Sequence, residues 1–76
     1  MKVKFDFVAA NLITQDLIRF KRKLCSLTKP GQYLAVSGVS KENLKILKDA
    51  YKKLPLRLLK VKTGWQWVAL LYQRTK

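Results

Sequence analysis

Four stretches of this chain are apolar at a strand-like period of two, and two more carry apolar residues at spacings of three and four. The last strand-like stretch, Trp65-Gln66-Trp67-Val68-Ala69-Leu70-Leu71-Tyr72, organises the others. Trp65, Trp67, Ala69 and Leu71 fall on one side, Val68, Leu70 and Tyr72 on the other, and only Gln66 interrupts them. A strand apolar on both faces needs cover on both, so it belongs inside a sheet. Because this strand comes last, the earlier ones must leave it a slot.

In chain order, the stretch Phe5–Leu12 reads as a first strand, Phe5–Ala10 alternating with one polar interruption at Asp6 and Asn11 marking the exit. Thr14 is placed to cap a helix whose first turn holds Asp16, and Leu17, Phe20, Leu24 and Leu27 form its apolar face. Thr28-Lys29-Pro30-Gly31 stops that helix. Tyr33-Leu34-Ala35-Val36 is a short interior strand ended by Ser37-Gly38. Ser40 is placed to cap a second helix with Leu44, Leu47, Tyr51 and Leu54 as its buried stripe, and Pro55 ends it. Leu56–Lys62 is a strand of broken alternation whose lysines suit a sheet edge. Thr63-Gly64 turns it into the tryptophan strand as an antiparallel hairpin.

The resulting order is β-α-β-α-β-β. Right-handed crossovers between parallel strands put both helices on one face. The predicted fold is an α/β sheet of four strands in the order 1-2-4-3, the last antiparallel. One face of that sheet is left apolar and without helices, and the first strand presents a free edge. Apolar faces of this kind are normally covered. The expected cover is a second copy, giving a homodimer through the helix-free face or the first-strand edge, or another piece of the same protein.

At 76 residues the chain makes a single domain with a hydrophobic content, 49%, that supports a packed core. No apolar run is long enough to span a membrane, so no membrane partner is expected and the cytoplasm is the expected compartment. With one cysteine, Cys25, and no histidine, neither a disulfide framework nor a cysteine–histidine zinc site can form, and no metal site is expected. Cys25 has no base near it in sequence and reads as packing. The net charge of +13 has two readings. One is a footprint for RNA or DNA; the other is a solvated surface, or part of a larger assembly whose acidic part lies elsewhere.

The ordered motifs add a resemblance. Asp6-Phe7-Val8-Ala9-Ala10-Asn11-Leu12 resembles the fourth-strand motif of class I S-adenosylmethionine-dependent methyltransferases, in particular those that trimethylate protein eleven of the large ribosomal subunit. Leu27-Thr28-Lys29-Pro30-Gly31, Ser37-Gly38-Val39 and Trp67-Val68-Ala69-Leu70 are similar to three further motifs of that family, in the same order, from about Phe5 to Arg74. The resemblance implies a truncated methyltransferase-like domain over residues 1–76, matching the C-terminal half of a Rossmann-like sheet. It also implies that Asn11 lies beside the transferred methyl group and accepts a hydrogen bond from the target amine. Gly31, Gly38 and Gly64 are the only glycines and form no Gly-x-Gly cluster, so the family's cofactor loop has no counterpart. Gln66 stands where the family carries a glutamate. S-adenosylmethionine is thus the parent family's cofactor, while this chain alone is expected to hold none and to be catalytically idle.

Lys41, Lys45, Lys48 and Lys52 line one side of the second helix and are the candidates for contact with nucleic acid; the bland alternative is a solvated helix face. A small basic nucleic-acid-binding module is therefore the alternative function, with RNA as the possible partner. Trp65, Trp67 and Tyr33 could stack on bases, but their place in apolar strands favours core or interface packing.

Overall fold

The computed structural model describes residues 4–76. Along the chain run β1 (Phe5–Asn11), α1 (Thr14–Arg19), α2 (Lys21–Leu27), β2 (Thr28–Ser40), α3 (Leu44–Tyr51), β3 (Leu56–Thr63) and β4 (Trp67–Arg74). A turn of 3-10 helix at Lys41–Asn43 leads into α3. The strands form one sheet in the order β1-β2-β4-β3. β1 and β2 are parallel, and β4 lies antiparallel to β2 on one side and to β3 on the other. The final strand thus fills the interior slot.

Period-two alternation decides which side each strand residue serves. Val8, Ala10, Leu34, Val36, Val68, Leu70 and Tyr72 face the helices. They pack with Leu17 of α1 and with Leu47 and Tyr51 of α3 in one core. Cys25 of α2 is buried on the same side. Tyr51 ties the layer together: its hydroxyl donates to the Leu17 carbonyl at 2.7 Å, and its ring stacks on Tyr72 with centroids 5.3 Å apart. The Arg74 guanidinium donates to the carbonyls of Cys25 and Thr28, at 3.3 and 2.7 Å, where α2 ends. A cation there satisfies acceptors that the helix leaves open.

Several local expectations need correction. The first helix is two segments, broken at Phe20, whose backbone sits at φ −98° and ψ 13°. In one straight helix Leu17 and Cys25 would lie about 80° apart around the axis; the break lets both reach the core. Phe20 is left 40% exposed, with the Arg19 guanidinium over its ring. Thr14 is not a cap but the first helical residue, and it is buried; Ile13 holds the cap position without a side-chain bond. Ser40 does hold a cap position, yet its hydroxyl makes no capping bond. β2 is also far longer than Tyr33–Val36. It runs through Pro30-Gly31 because that pair forms an irregularity in an otherwise extended strand: Thr28 pairs with Phe5 before it and Tyr33 with Phe7 after it. Gly31 supplies the positive φ of 83° needed there. Asp6, the polar interruption of β1, is exposed and pairs with Lys29 at 3.1 Å.

Burial holds both core tyrosines neutral. The Tyr72 phenol is pushed up to about 12, and that of Tyr51 is raised by burial and, less strongly, by the neighbouring Tyr72 and Cys25. The unfolded chain therefore releases these protons first, near the ordinary value of 10, while the folded chain keeps them. By linkage, this contribution to stability is complete below pH 10 and is lost as pH rises towards 12. An alkaline titration should show Tyr51 and Tyr72 ionising only as the helical circular dichroism disappears. Their ionisation near the ordinary value in a chain that stays folded would contradict the packing.

Candidate functional site

The carboxyl ends of parallel strands are where α/β sheets bind ligands, and here β1 and β2 end side by side. Asn11 closes β1 and is paired in register with Ser37 of β2. Directly after Ser37 the ladder to β4 slips. Val36 faces Leu70 and Val39 faces Val68, so Ser37 and Gly38 together oppose Ala69. This is a β-bulge, a device that bends a strand and re-aims its neighbours. Gly38 takes the positive φ of 87° that the bulge requires. Its missing side chain also makes room: a Cβ there would lie 2.7 Å from Asn11 Oδ1 and 3.0 Å from the Leu12 carbonyl oxygen.

The result is an open hollow of about 360 Å³ lined by Asn11, Ser37, Gly38 and Trp67. Asn11 is exposed and has no side-chain hydrogen-bond partner among the described residues. Its amide can accept from or donate to a ligand, but it cannot take up a proton as a base does. The Trp67 ring is seated against Gly64, where any side chain would collide with the indole. A second hollow, lined by Ser40, Lys41, Glu42, Trp65 and Gln66, adjoins the turn. The Ser40 hydroxyl is buried there without a partner among the described residues.

Among the described residues there is no group of histidine, cysteine and carboxylate side chains that could hold a metal. Cys25 is buried, and burial pushes its thiol up, against the opposing pull of Arg74. It is a packing residue, not a nucleophile. The side chains lining the Asn11 hollow are able to hydrogen-bond a ligand, and none exchanges protons near neutral pH.

The other candidate residues lie elsewhere. Lys41 sits on the 3-10 turn, Lys45 and Lys48 on the outer side of α3, and Lys52 just past its end; all four are exposed. Glu42 and Asp49 share a surface hollow with Lys41, Lys45 and Lys48, so the basic stripe is interrupted by carboxylates. None of these lysines lines the hollow at Asn11. Trp65 is 87% exposed at the hairpin turn and outside β4, so the expected burial in a strand does not hold for it. Trp67 and Tyr33 lie on the helix-free side of the sheet at 44% and 38% exposure. The roles of Ser37, Gly38 and Trp67 as lining residues were not read from the chain. The available signal was the parallel pairing of two strands that end in Asn11 and Ser37-Gly38.

The four-stranded sheet of order β1-β2-β4-β3 with helices on one side is a fold also found in methyltransferase structures. Residues 1–75 match the family model described as ribosomal protein L11 methyltransferase (PrmA), and the chain belongs to that family. A curated relative, the ribosomal protein L11 methyltransferase of Listeria monocytogenes, is 29% identical over 73 residues, which are 96% of this chain and 23% of that protein. The chain thus spans about a quarter of the length of the curated relatives it matches. The crystal structure of the ribosomal protein L11 methylase from Lactobacillus delbrueckii subsp. bulgaricus superimposes with a TM-score of 0.88 at 20% identity. The match covers 96% of this chain and 38% of that one. The crystal structure of the M1.HpyAVI–SAM complex matches with a TM-score of 0.75 at 10% identity, over 96% and 46% of the two chains. No helix among the described residues is long and apolar enough to cross a membrane.

Proposed function

We propose that this chain forms the amine-orienting part of an S-adenosylmethionine-dependent ribosomal-protein methyltransferase site, and that it does not hold the cofactor by itself. The observation that carries this reading is the free amide of Asn11, set at the carboxyl end of a parallel strand against Gly38. Its oxygen can accept a hydrogen bond from a substrate amine and so turn the nitrogen lone pair towards an electrophile, a positioning role. Trp67 gives the same hollow an apolar wall. The residues present do not fit the cofactor. The hollow contains no carboxylate for a ribose, and neither Gly31 nor Gly38 opens a helix on which a carboxylate or phosphate group could rest. When bound by other polypeptide, S-adenosylmethionine supplies the electrophilic methyl group. A ribosomal-protein substrate would place this activity in the cytoplasm.

Titrating S-adenosylmethionine into the isolated chain by calorimetry is the test, and no saturable binding at micromolar concentration is expected. Saturable micromolar binding would show that this chain carries its own cofactor site and would overturn the division of labour proposed here.

A further inference from the structure

A larger hollow than the one at Asn11 lies on the helix side of the sheet, near the other end of β4. It holds about 420 Å³ between α3 and the edge strand β3, with Tyr72 of β4 in its wall. Tyr72 stands five residues along β4 from Trp67, roughly 17 Å at the rise of a strand.

Tyr72 is the unusual group. The residue is 4% exposed, yet its hydroxyl has no hydrogen-bond partner among the described residues. Nor is that hydroxyl sealed in, since only Ser40 Oγ is both buried and unpartnered among the described residues. It therefore opens onto the hollow that Tyr72 lines. Burial pushes the phenol up to about 12, so at neutral pH it remains a donor. A donor on a ring held by stacking against Tyr51, and offered to no protein acceptor, is placed to serve a ligand.

The rest of the lining sets the chemistry of that ligand. Leu56 and Leu58 are half-buried and form an apolar floor. Lys48 and Lys52 lie one helical turn apart and put two ammonium groups at the rim, neither in an ion pair among the described residues. Asp49 is the one carboxylate in the lining. Arg57 adds no charge here: its guanidinium donates to Gln73 Oε1 at 3.3 Å, and Gln73 alternates with Tyr72 onto the other side of the sheet. Two cations against one anion leave a single net positive charge, which a monoanion neutralises and a dianion overshoots.

We propose that this hollow binds a small monoanionic carboxylate with an apolar body. One carboxylate oxygen accepts from the Tyr72 hydroxyl and the other from the Lys48 or Lys52 ammonium group, while the apolar part rests on Leu56 and Leu58. The inference stands on this hollow alone and does not depend on the methyl-transfer reading.

The probes are phenylbutyrate, its neutral amide phenylbutyramide, and phenyl phosphate, each titrated into the full chain while the Tyr72 ring resonances are followed. Phenylbutyrate should bind saturably, and the amide and the phosphate should each bind about tenfold more weakly or worse. Tyr72→Phe keeps the stacked ring and removes only the unpartnered hydroxyl. It should leave the urea midpoint in place and weaken phenylbutyrate about tenfold. Lys48→Gln/Lys52→Gln should weaken it similarly, whereas Lys60→Gln/Lys62→Gln, outside the hollow, should not. Equal binding of the amide would mean apolar adsorption alone, and equal loss with the β3 lysine pair would mean unspecific attraction of charge. Either result would overturn the proposal, as would tighter binding of the phosphate, an unchanged affinity in Tyr72→Phe, or no saturation.

Discussion

Leu70→Ala is expected to remove about 2–5 kcal/mol of folding stability. Leu70 is 1% exposed and lies in the middle of the sheet, opposite Val36 on one side and Val61 on the other. Its truncation leaves a cavity where helix and sheet layers meet, and neighbouring backbone held in ladders on both sides cannot collapse into it. A chain of this length has a total stability of about 4–11 kcal/mol, so the variant should be unfolded to a substantial degree under mild denaturant. Urea unfolding followed by circular dichroism reads this directly, through a lower midpoint at an unchanged slope. Leu71→Ala, one residue on and facing the open side, should cost much less. Equal losses at the two positions would mean that the two faces of β4 are not distinguished as described.

Gly38→Ala should cost about 1–3 kcal/mol and also displace the Asn11 amide. Two effects combine there. The φ of 87° is strained for any residue with a side chain, and the added carbon would come within 3.0 Å of the Leu12 carbonyl oxygen, a backbone atom that cannot swing aside. Gly31→Ala separates the two effects. Its φ of 83° imposes the same conformational strain, but nothing lies within 4 Å of the added carbon. Thermal unfolding should therefore rank Gly38→Ala as the more damaging, and the side-chain amide resonances of Asn11 should move in that variant alone. Equal damage, with the Asn11 resonances in place, would remove the close packing that shapes the hollow.

The topology was legible because it rests on the strongest signals in the chain. Both faces of Val68–Tyr72 are apolar, which no edge strand tolerates, and the lysines of β3 mark the edge. The broken alternation of Leu56–Lys62 has a structural counterpart too. The ladder slips between Leu58 and Lys60, so Leu59 is an extra residue, left 43% exposed. What was illegible follows from competition between local rules and packing. Pro30-Gly31 carries the usual stop signal, yet β2 absorbs the pair as an irregularity because strand continues on either side of it. Thr14 has the chemistry of a cap, but its burial in the core layer prevails over that preference. Trp65 sits in phase with Trp67 and Ala69, and phase alone does not reveal that the hairpin turn extends to Gln66, closed by a 2.7 Å hydrogen bond from the Gly64 amide to the Trp67 carbonyl.

The site was legible only in part, for a related reason. The motif resemblance singles out Asn11, and the fold sets it at the end of a parallel strand. The hollow around it depends on the bulge at Ser37-Gly38 and on the seating of Trp67 against Gly64, which are products of register. Periodicity shows which face a residue serves and says nothing of register between strands. The lysines of α3 show the converse. Their spacing was plain, but the carboxylates of Glu42 and Asp49 that interrupt the stripe come into view only when the 3-10 turn and helix are seen together.

The central claim is that the final strand occupies an interior slot, hydrogen-bonded along both sides. Native-state amide hydrogen exchange tests it most directly, because an interior strand protects consecutive amides whereas an edge strand protects every second one. The account predicts unbroken protection from Leu70 to Tyr72, with alternating protection in β1 from Phe7 to Asn11 and in β3 from Lys60 to Thr63. Alternating protection in β4, with continuous protection in β3, would place the last strand at the rim and contradict the fold on which the Asn11 site and the Tyr72 hollow both depend.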